Sequence, residues 1–167
     1  MPTPPDAAEF DAYVSARGSG LLRFAYVLCG DHHLAEDLVQ EALVRVHRRW
    51  SKVQRTDQPG TYVRKAILRQ YLSWRRRRSS GETPEDLAED SAQKPDHAQG
   101  LADRDALWDA LSGLPPKQRA VLVLRFYEDL DDNEIAAYVG CSAQTVRSHA
   151  SRGVARLRGI VRADHFV

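Results

Sequence analysis

The sequence has few of the features that mark secreted, membrane-spanning or metal-binding proteins. Its 167 residues include two cysteines, Cys29 and Cys141, which lie far apart and form no Cys-x-x-Cys pair. Neither a disulfide framework nor a zinc site is therefore indicated. No stretch approaches the roughly 20 apolar residues of a membrane span, and the first residues lack the basic and apolar regions of a secretory signal. We expect a soluble, cytoplasmic protein with no metal, no cofactor and no membrane partner.

Net charge is also small, at +1, but it hides a strong pattern along the chain. Residues 1–44 carry a net charge of −5, and residues 45–78 carry +11. Residues 79–105 carry −6, residues 106–146 carry −3, and residues 147–163 carry +5. Two separated basic blocks, each within a predicted helix, are typical of a protein that binds nucleic acid at two places.

The acidic stretch from residue 79 to 100 separates two helical parts. It contains two Gly, two Pro and no aromatic residue, and Leu87 is its only large aliphatic residue. Such a segment buries too little apolar surface to offset the entropy lost on ordering. We predict an all-α protein with two small domains, residues 6–78 and 101–162, joined by a flexible acidic linker.

The first domain is predicted to contain three or four helices. Asp6, with Glu9 three residues later, has the spacing of a helix N-terminus. Gly18 and Gly20 are expected to break the first apolar segment into two helices, and Gly30 to end it.

Asp31 is predicted to cap the next helix, whose apolar residues recur every three to four positions. These are Leu34, Ala35, Leu38, Val39, Ala42, Leu43, Val46 and Trp50. A third helix is predicted from residue 59 to 78, with Pro59 in its first turn and Val63, Ile67, Tyr71 and Trp74 on the buried side. The basic end of this helix follows Tyr62, and a surface with interleaved cations and aromatics can bind a single strand. For Tyr71 and Trp74, packing in the core is the stronger prediction.

The second domain contains a helix-turn-helix pattern. Residues 120–124 alone could form a strand, but Pro115 or Pro116 before them favours a helix of about a dozen residues. Beyond it, Ala136, Gly140 and Val146 have the spacing of a small contact residue, a turn glycine and an apolar anchor. Ser142 then caps a second helix whose polar residues suit base edges and whose arginines suit phosphates. A helical hairpin in a protein-binding domain is the alternative.

Four stretches together resemble a known family. They are residues 37–43, with an Asp-x-x-Gln-Glu motif, the helix 59–78 ending in Trp-Arg-Arg, residues 114–119 (Leu-Pro-Pro-Lys-Gln-Arg), and residues 142–153. The first two resemble the second conserved region of bacterial sigma factors, and the last two resemble the fourth. With these two regions and a short linker, the chain is similar to the extracytoplasmic-function (ECF) group, in its compact actinobacterial form.

The resemblance implies a promoter-specificity subunit of RNA polymerase, with binding roles but no catalytic residues. Core polymerase would be bound through its β′ clamp helices by Asp37, Gln40 and Glu41, while the second domain also holds the β flap. The minus-ten element would be bound by the loop 51–58 and by Arg64, Lys65, Arg69, Gln70, Trp74, Arg75 and Arg76. The minus-35 element would be bound by Gln144, Thr145, Arg147, Ser148, His149, Ser151, Arg152 and Arg156. Whether an anti-sigma protein holds the factor inactive stays open.

Two other functions compete with this interpretation. An ordinary helix-turn-helix regulator, with the first domain as a sensor or dimerisation unit, would leave the +11 block unexplained. A nuclease or recombinase would need clustered carboxylates or a nucleophile in a pocket, whereas most acids here lie in the linker or on exposed helix faces. His32 and His33 beside Asp31 are expected to belong to a cap region and not to a metal site.

Overall fold

A computed structural model describes residues 5–56, 58–81 and 108–165. In these ranges the chain forms helices and the turns between them, with no strand, which confirms the all-α prediction. The helices group into two compact units, Met1–Ser73 and Trp74–Val167. None of the helices in the described ranges is long and apolar enough to cross a bilayer.

The first helix, α1, runs without interruption over Pro5–Cys29. The predicted break at Gly18 and Gly20 is therefore wrong, and Asp6 lies inside the helix instead of capping it. Each internal glycine costs about 1 kcal/mol of helix stability, but the following half of α1 packs its apolar side chains into the core, which outweighs that cost. The buried side chains are Leu21, Phe24, Ala25 and Leu28. As predicted, α1 stops at Gly30, which adopts a left-handed conformation with a φ of 74°.

Helix α2 extends over His32–Arg48 and begins as predicted. The Asp31 carboxylate accepts a hydrogen bond from the Leu34 backbone N–H at 3.0 Å, which is an N-cap. A single turn, α3, follows at Trp50–Val53, so part of the segment predicted as a loop over residues 51–58 is helical. Trp50 and Val53 are both buried and anchor this turn to the core.

Helix α4 extends over Pro59–Gly81, three residues beyond the predicted end. Its buried side is formed by Val63, Ile67, Leu68 and Tyr71, which confirms Tyr71 as a core residue. Arginine is a good helix former, so the run of four arginines carries the helix into residues 79–81, the predicted start of the linker. The rest of that linker and the predicted start of the second domain lie outside the described residues.

The second unit contains a short helical segment at residues 108–112 and three longer elements. Helix α5 extends over Pro116–Leu122 and continues as a π-helical turn, Val123–Tyr127. Residues 120–124 are therefore helical, which confirms the predicted helix and excludes the alternative of a strand. Helices α6 (Asp132–Val139) and α7 (Ala143–His165) follow. Leu124, Ile135, Val146 and Ala150 pack these elements around one core.

Candidate nucleic-acid interface

A tight turn joins α6 to α7, and Gly140 forms it. Its φ of 78° lies in the left-handed region, where a side chain would be strained. The backbone N–H groups of Gly140 and Cys141 both donate to the Ala136 carbonyl, at 2.8 and 3.2 Å, and thereby close the end of α6. Val146, which has no exposed surface, anchors α7 beneath the turn. The predicted helix-turn-helix is thus confirmed by its turn and its anchor.

Helix α7 is capped as predicted, and the cap determines which residues open its first turn. The Ser142 Oγ accepts a hydrogen bond from the Thr145 backbone N–H at 3.1 Å. The two hydroxyls of Ser142 and Thr145 also lie 2.9 Å apart. The hydroxyl of Thr145 is therefore engaged within the cap, while Gln144 beside it is exposed.

The exposed side of α7 has small, uncharged residues at its centre and arginines on its flanks. Gln144, Ser148, Ser151 and Ala155 follow one another at intervals of three or four residues, so they form one stripe, and all four are exposed. By the same spacing, Arg147 and Arg158 lie on one flank, and Arg152 and Arg156 on the other. Small side chains at the centre let the helix approach a groove closely, while flanking arginines can reach phosphates or guanine edges.

His149 is the least accessible of the residues predicted to bind the minus-35 element. It is half-buried, and within the described part of the chain its buried Nδ1 has no hydrogen-bond partner. Burial lowers the pKa of the imidazole, and the positive charges of Lys117 and Arg152 lower this pKa further. The ring therefore favours its neutral form and adds no positive charge to α7.

One carboxylate lies between two arginines at the edge of this surface. Asp132, in the first turn of α6, forms a hydrogen-bonded ion pair with Arg125 through Oδ1. Its Oδ2 lies 3.7 Å from a guanidinium nitrogen of Arg147 on α7. The three side chains line an open cleft of about 490 Å³ together with Ala150, Ser151, Val154, Ala155 and Arg158. Arg125 and Asp132 were not among the predicted site residues.

A second cationic surface lies in the first unit, where the end of α2 meets the first half of α4. It is a groove of about 440 Å³, lined by Arg45, Val46, Arg48, Arg49, Tyr62, Lys65, Ala66 and Arg69. We call it the α2–α4 groove. Five of its lining residues are cationic, and the lining contains no carboxylate. Only Lys65 and Arg69 were predicted as site residues. The other lining residues also belong to the +11 block of residues 45–78, and this concentration of positive charge could have pointed to them.

The residues predicted to bind the minus-ten element do not share one surface. Lys65 and Arg69 line the α2–α4 groove. Arg64 points elsewhere, because a Cβ added at Gly60 would lie 3.2 Å from a guanidinium nitrogen of Arg64 and 3.6 Å from the Tyr13 hydroxyl on α1. Burial raises the pKa of Tyr13, and the nearby charges of Arg64 and Arg17 oppose this rise. The basic residues of α4 are thus divided between two sides of the unit.

Gln70 was predicted to contact DNA, but the structure buries it with 4% of its surface exposed. With its amide oriented to suit its neighbours, the nitrogen donates to Glu41 Oε2 at 3.0 Å and the oxygen accepts from Arg45 Nε at 2.8 Å. Both partners lie on α2, so the side chain of Gln70 is directed into the helix interface. Buried amides keep the partners that replace water, so in this conformation the amide of Gln70 is not available to DNA.

The end of α4 presents the remaining predicted residues. Trp74 is partly exposed, and the guanidinium carbon of Arg78 lies 4.6 Å from the centre of its ring. Arg76 is exposed and Arg75 is half-buried. An arginine over an indole is a cation–π pair, so Trp74 is engaged on its own helix and is less buried than the core position predicted for it.

The predicted polymerase-binding residues share one exposed face of α2. Asp37, Gln40 and Glu41 are all exposed, whereas Leu38, Val39 and Ala42 between and beside them are buried. Val44 continues the same face and is 55% exposed. A single exposed valine is normal on a protein surface, but its place beside these three residues adds Val44 to the face that could contact a partner. Sequence reasoning missed Val44, although its spacing from Gln40 and Glu41 was visible.

Cys29 and His32 have local structural roles. Cys29 donates a weak hydrogen bond from Sγ to the Asp31 carbonyl at 3.3 Å, next to the cap of α2. The ring of His32 stacks on Tyr26 with centroids 4.1 Å apart. In the part of the chain that the structure covers, no three His, Cys, Asp or Glu side chains cluster closely enough to hold a metal ion.

Comparison with known proteins connects both units to one family. The family models for sigma-70 region 2 and sigma-70 region 4 match residues 13–81 and 104–157. The RNA polymerase sigma-E factor of Streptomyces avermitilis is 40% identical, over 92% of this chain and 85% of that protein. The ECF RNA polymerase sigma factor SigL of Mycobacterium tuberculosis is 30% identical, over 92% and 89%. The chain belongs to the ECF sigma factors.

A solved structure with the same fold agrees with this assignment. The sigma factor RpoE of Bartonella quintana, in complex with the anti-sigma factor NepR, has a TM-score of 0.70 and 24% identity, covering 93% of this chain and 98% of that one. Sigma factors are non-catalytic promoter-specificity subunits, so this sigma factor is not an enzyme. Membership of the family also decides against the ordinary helix-turn-helix regulator.

Proposed function

We propose that the second unit of this sigma factor reads the minus-35 element as duplex DNA, with α7 in the major groove. The exposed stripe of Gln144, Ser148 and Ser151 supports this role, because amide and hydroxyl groups can donate to and accept from base edges. Arg147 on one flank, and Arg152 and Arg156 on the other, supply the cations for guanine edges and phosphates. His149, half-buried and favouring its neutral form, acts through its packing more than through charge.

The first unit binds the minus-ten element as the duplex opens. The α2–α4 groove supports this, because five cations follow a phosphate backbone and the Tyr62 ring can stack on an unpaired base. Arg75 and Arg76, with Trp74, add cations and a ring farther along α4, and Arg64 adds a cation on the side next to Tyr13. Capturing unstacked bases offsets the few kcal/mol that each unstacking costs. Gln70 is left out of this contact set because of its burial.

The exposed face of α2 binds core polymerase. Asp37, Gln40 and Glu41 supply acidic and amide groups for a complementary surface on the β′ clamp helices, and Val44 adds an apolar contact. The factor acts in the cytoplasm, where polymerase and promoter DNA are found. The solved neighbours from Bartonella quintana and the CnrH protein are each in complex with a partner, NepR and CnrY respectively. A partner of the anti-sigma class is proposed for this chain as well.

The observation that supports this division most strongly is a separate cationic surface in each of the two family-matched regions. Run-off transcription with purified core polymerase, the full chain and a promoter library tests it. We expect initiation at a defined subset of promoters, and weak binding of DNA by the chain alone. Initiation without any selection of start sites would contradict the proposal.

The polymerase-binding face is tested separately. The double variant Asp37→Ala with Gln40→Ala is expected to weaken binding to core polymerase about tenfold or more, while duplex binding by the chain stays unchanged. Glu41 is left in place because it accepts the hydrogen bond of the buried Gln70 amide. Glu36→Ala is the matched control, because Glu36 is an exposed acid on the same helix and lies on a different side. Equal losses in both variants would show that only the total charge of α2 matters.

A further inference from the structure

In the described part of the chain, Asp132 is the only carboxylate that lines the cleft beside α7. We infer that it is a positioning residue for Arg147. In this role it raises discrimination between bases at the expense of overall DNA affinity. The inference rests on the proposed function, because it presumes that α7 reads duplex DNA.

Asp132 is not needed to cap α6. That role belongs to Asp131, whose carboxylate accepts a hydrogen bond from the Glu134 backbone N–H at 2.8 Å. A second acidic residue in the first turn suits the helix dipole, but this requires no particular orientation of its side chain. Asp132 nevertheless turns both carboxylate oxygens toward guanidinium groups from other elements.

The two arginines hold Asp132 differently. Arg125, from the π-helical turn, is hydrogen-bonded to Oδ1, and its side chain is 31% exposed. Arg147 is 60% exposed and lies 3.7 Å from Oδ2, which is beyond hydrogen-bond distance. Arg125 thus fixes the carboxylate, while the carboxylate attracts Arg147 and leaves its donors available to a base.

This arrangement affects specific and non-specific binding in opposite directions. A guanidinium held near its bound position loses less side-chain entropy when it meets a matching base, which favours the correct site. A carboxylate at the edge of a DNA-binding surface repels phosphates whatever the sequence, and it competes with them for Arg147. Asp132 therefore weakens contacts with unrelated DNA more than contacts with the matching element.

The test uses holoenzyme assembled from core polymerase and the full chain, with promoters randomised in the upstream element. For Asp132→Asn, we expect discrimination at one or two base positions to fall about two- to tenfold. Binding to promoters with unrelated upstream elements should become tighter. The slope of log affinity against log salt should steepen by about 1, because Arg147 becomes free to bind a phosphate.

Two controls separate pairing from general charge. Asp131→Asn removes the same charge one residue away and keeps a good N-cap residue, so we expect it to preserve discrimination. In an Arg147→Ala background, Asp132→Asn should leave discrimination unchanged, because the arginine that it positions is gone.

The outcomes distinguish this inference from the function on which it rests. If the wild-type holoenzyme selects no upstream sequence, the proposed function fails and the inference fails with it. If the wild type selects and Asp132→Asn selects equally well, the positioning role alone is overturned. The same conclusion follows if Asp131→Asn produces an equal change.

Discussion

The two units present their positive charge in different ways. In the second unit, the arginines of the exposed surface lie on a single helix, α7, and follow its periodicity. In the first, the cations of the α2–α4 groove come from two helices, so Arg45, Arg48 and Arg49 meet Lys65 and Arg69 only after the chain has folded. A surface on one helix can be predicted from spacing, whereas a groove between two helices depends on how they pack.

The units also differ in how they bury a glutamine. Gln70 in the first unit is 4% exposed, and its amide connects Glu41 with Arg45. Gln118 in the second unit is 7% exposed, and its Oε1 has no hydrogen-bond partner among the described residues. An unsatisfied buried acceptor loses its hydration without compensation. Gln70 is therefore expected to stabilise the first unit, and Gln118 to destabilise the second.

The largest effect is expected where α7 packs against α5. A Cβ added at Gly153 would lie 2.9 Å from Leu122 Cδ1, and Leu122 is itself buried. Gly153→Val should therefore lower the free energy of unfolding of the second unit by about 2–3 kcal/mol, and weaken minus-35 binding with it. Urea unfolding of the full chain measures this change.

Gly159→Ala is the control on the same helix. Apart from its chain neighbours and the backbone of its own helix, no atom of the described residues lies within 4 Å of its added Cβ. This exposed substitution should stabilise α7 by about 0.5–1 kcal/mol through helix propensity alone. If both variants moved stability in the same direction, close packing at Gly153 would not explain the result.

The next effect concerns the α2–α4 groove. A triple variant, Arg49→Gln, Lys65→Gln and Arg69→Gln, removes three of its charges. Binding of the holoenzyme to a single-stranded minus-ten oligonucleotide should weaken about tenfold or more, and the salt slope should decrease by about 2. Arg17→Gln with Arg23→Gln, on exposed positions of α1, is the comparison, and an equal loss there would show that the groove has no special role.

A smaller effect should distinguish the two buried glutamines. Gln70→Leu is expected to lower the free energy of unfolding by about 1 kcal/mol, since two hydrogen-bonded contacts to charged groups are lost and apolar burial returns part of their contribution. Gln118→Leu should be neutral or stabilising, because the acceptor that it removes has no partner. The urea midpoints of the two variants test this difference. A loss of stability in both variants would show that Gln118 is not a destabilising residue.

The smallest effect is a dependence on pH in the second unit. Burial, followed by Lys117 and Arg152, lowers the pKa of His149. Below the ordinary histidine pKa of about 6.5, the unfolded chain therefore binds more protons at this position than the folded one, and stability falls as pH falls. His149→Gln should flatten this decline in thermal unfolding between pH 7 and 5.5. An unchanged pH profile would show that His149 does not contribute.

Prediction from the sequence succeeded where neighbouring residues decide the structure. The cap at Asp31, the cap at Ser142 and the turn at Gly140 each depend on hydrogen bonds or backbone angles within a few residues. The break predicted at Gly18 and Gly20 failed, because burial of side chains in the core outweighs the local cost of glycine. The burial of Gln70 was missed for a related reason, since packing of α4 against α2 directs its amide to Glu41 and Arg45.

The sequence by itself determined most of the helices, several of their ends, the family and the two blocks of positive charge, because these follow from periodicity and from motifs of adjacent residues. Only the tertiary structure decided that Arg64 turns toward Tyr13, that five cations from two helices share one groove, and that Asp132 lies between Arg125 and Arg147. Those contacts join residues that are distant along the chain or lie on different helices. Their distances are set by how apolar faces pack, and no local pattern contains that information.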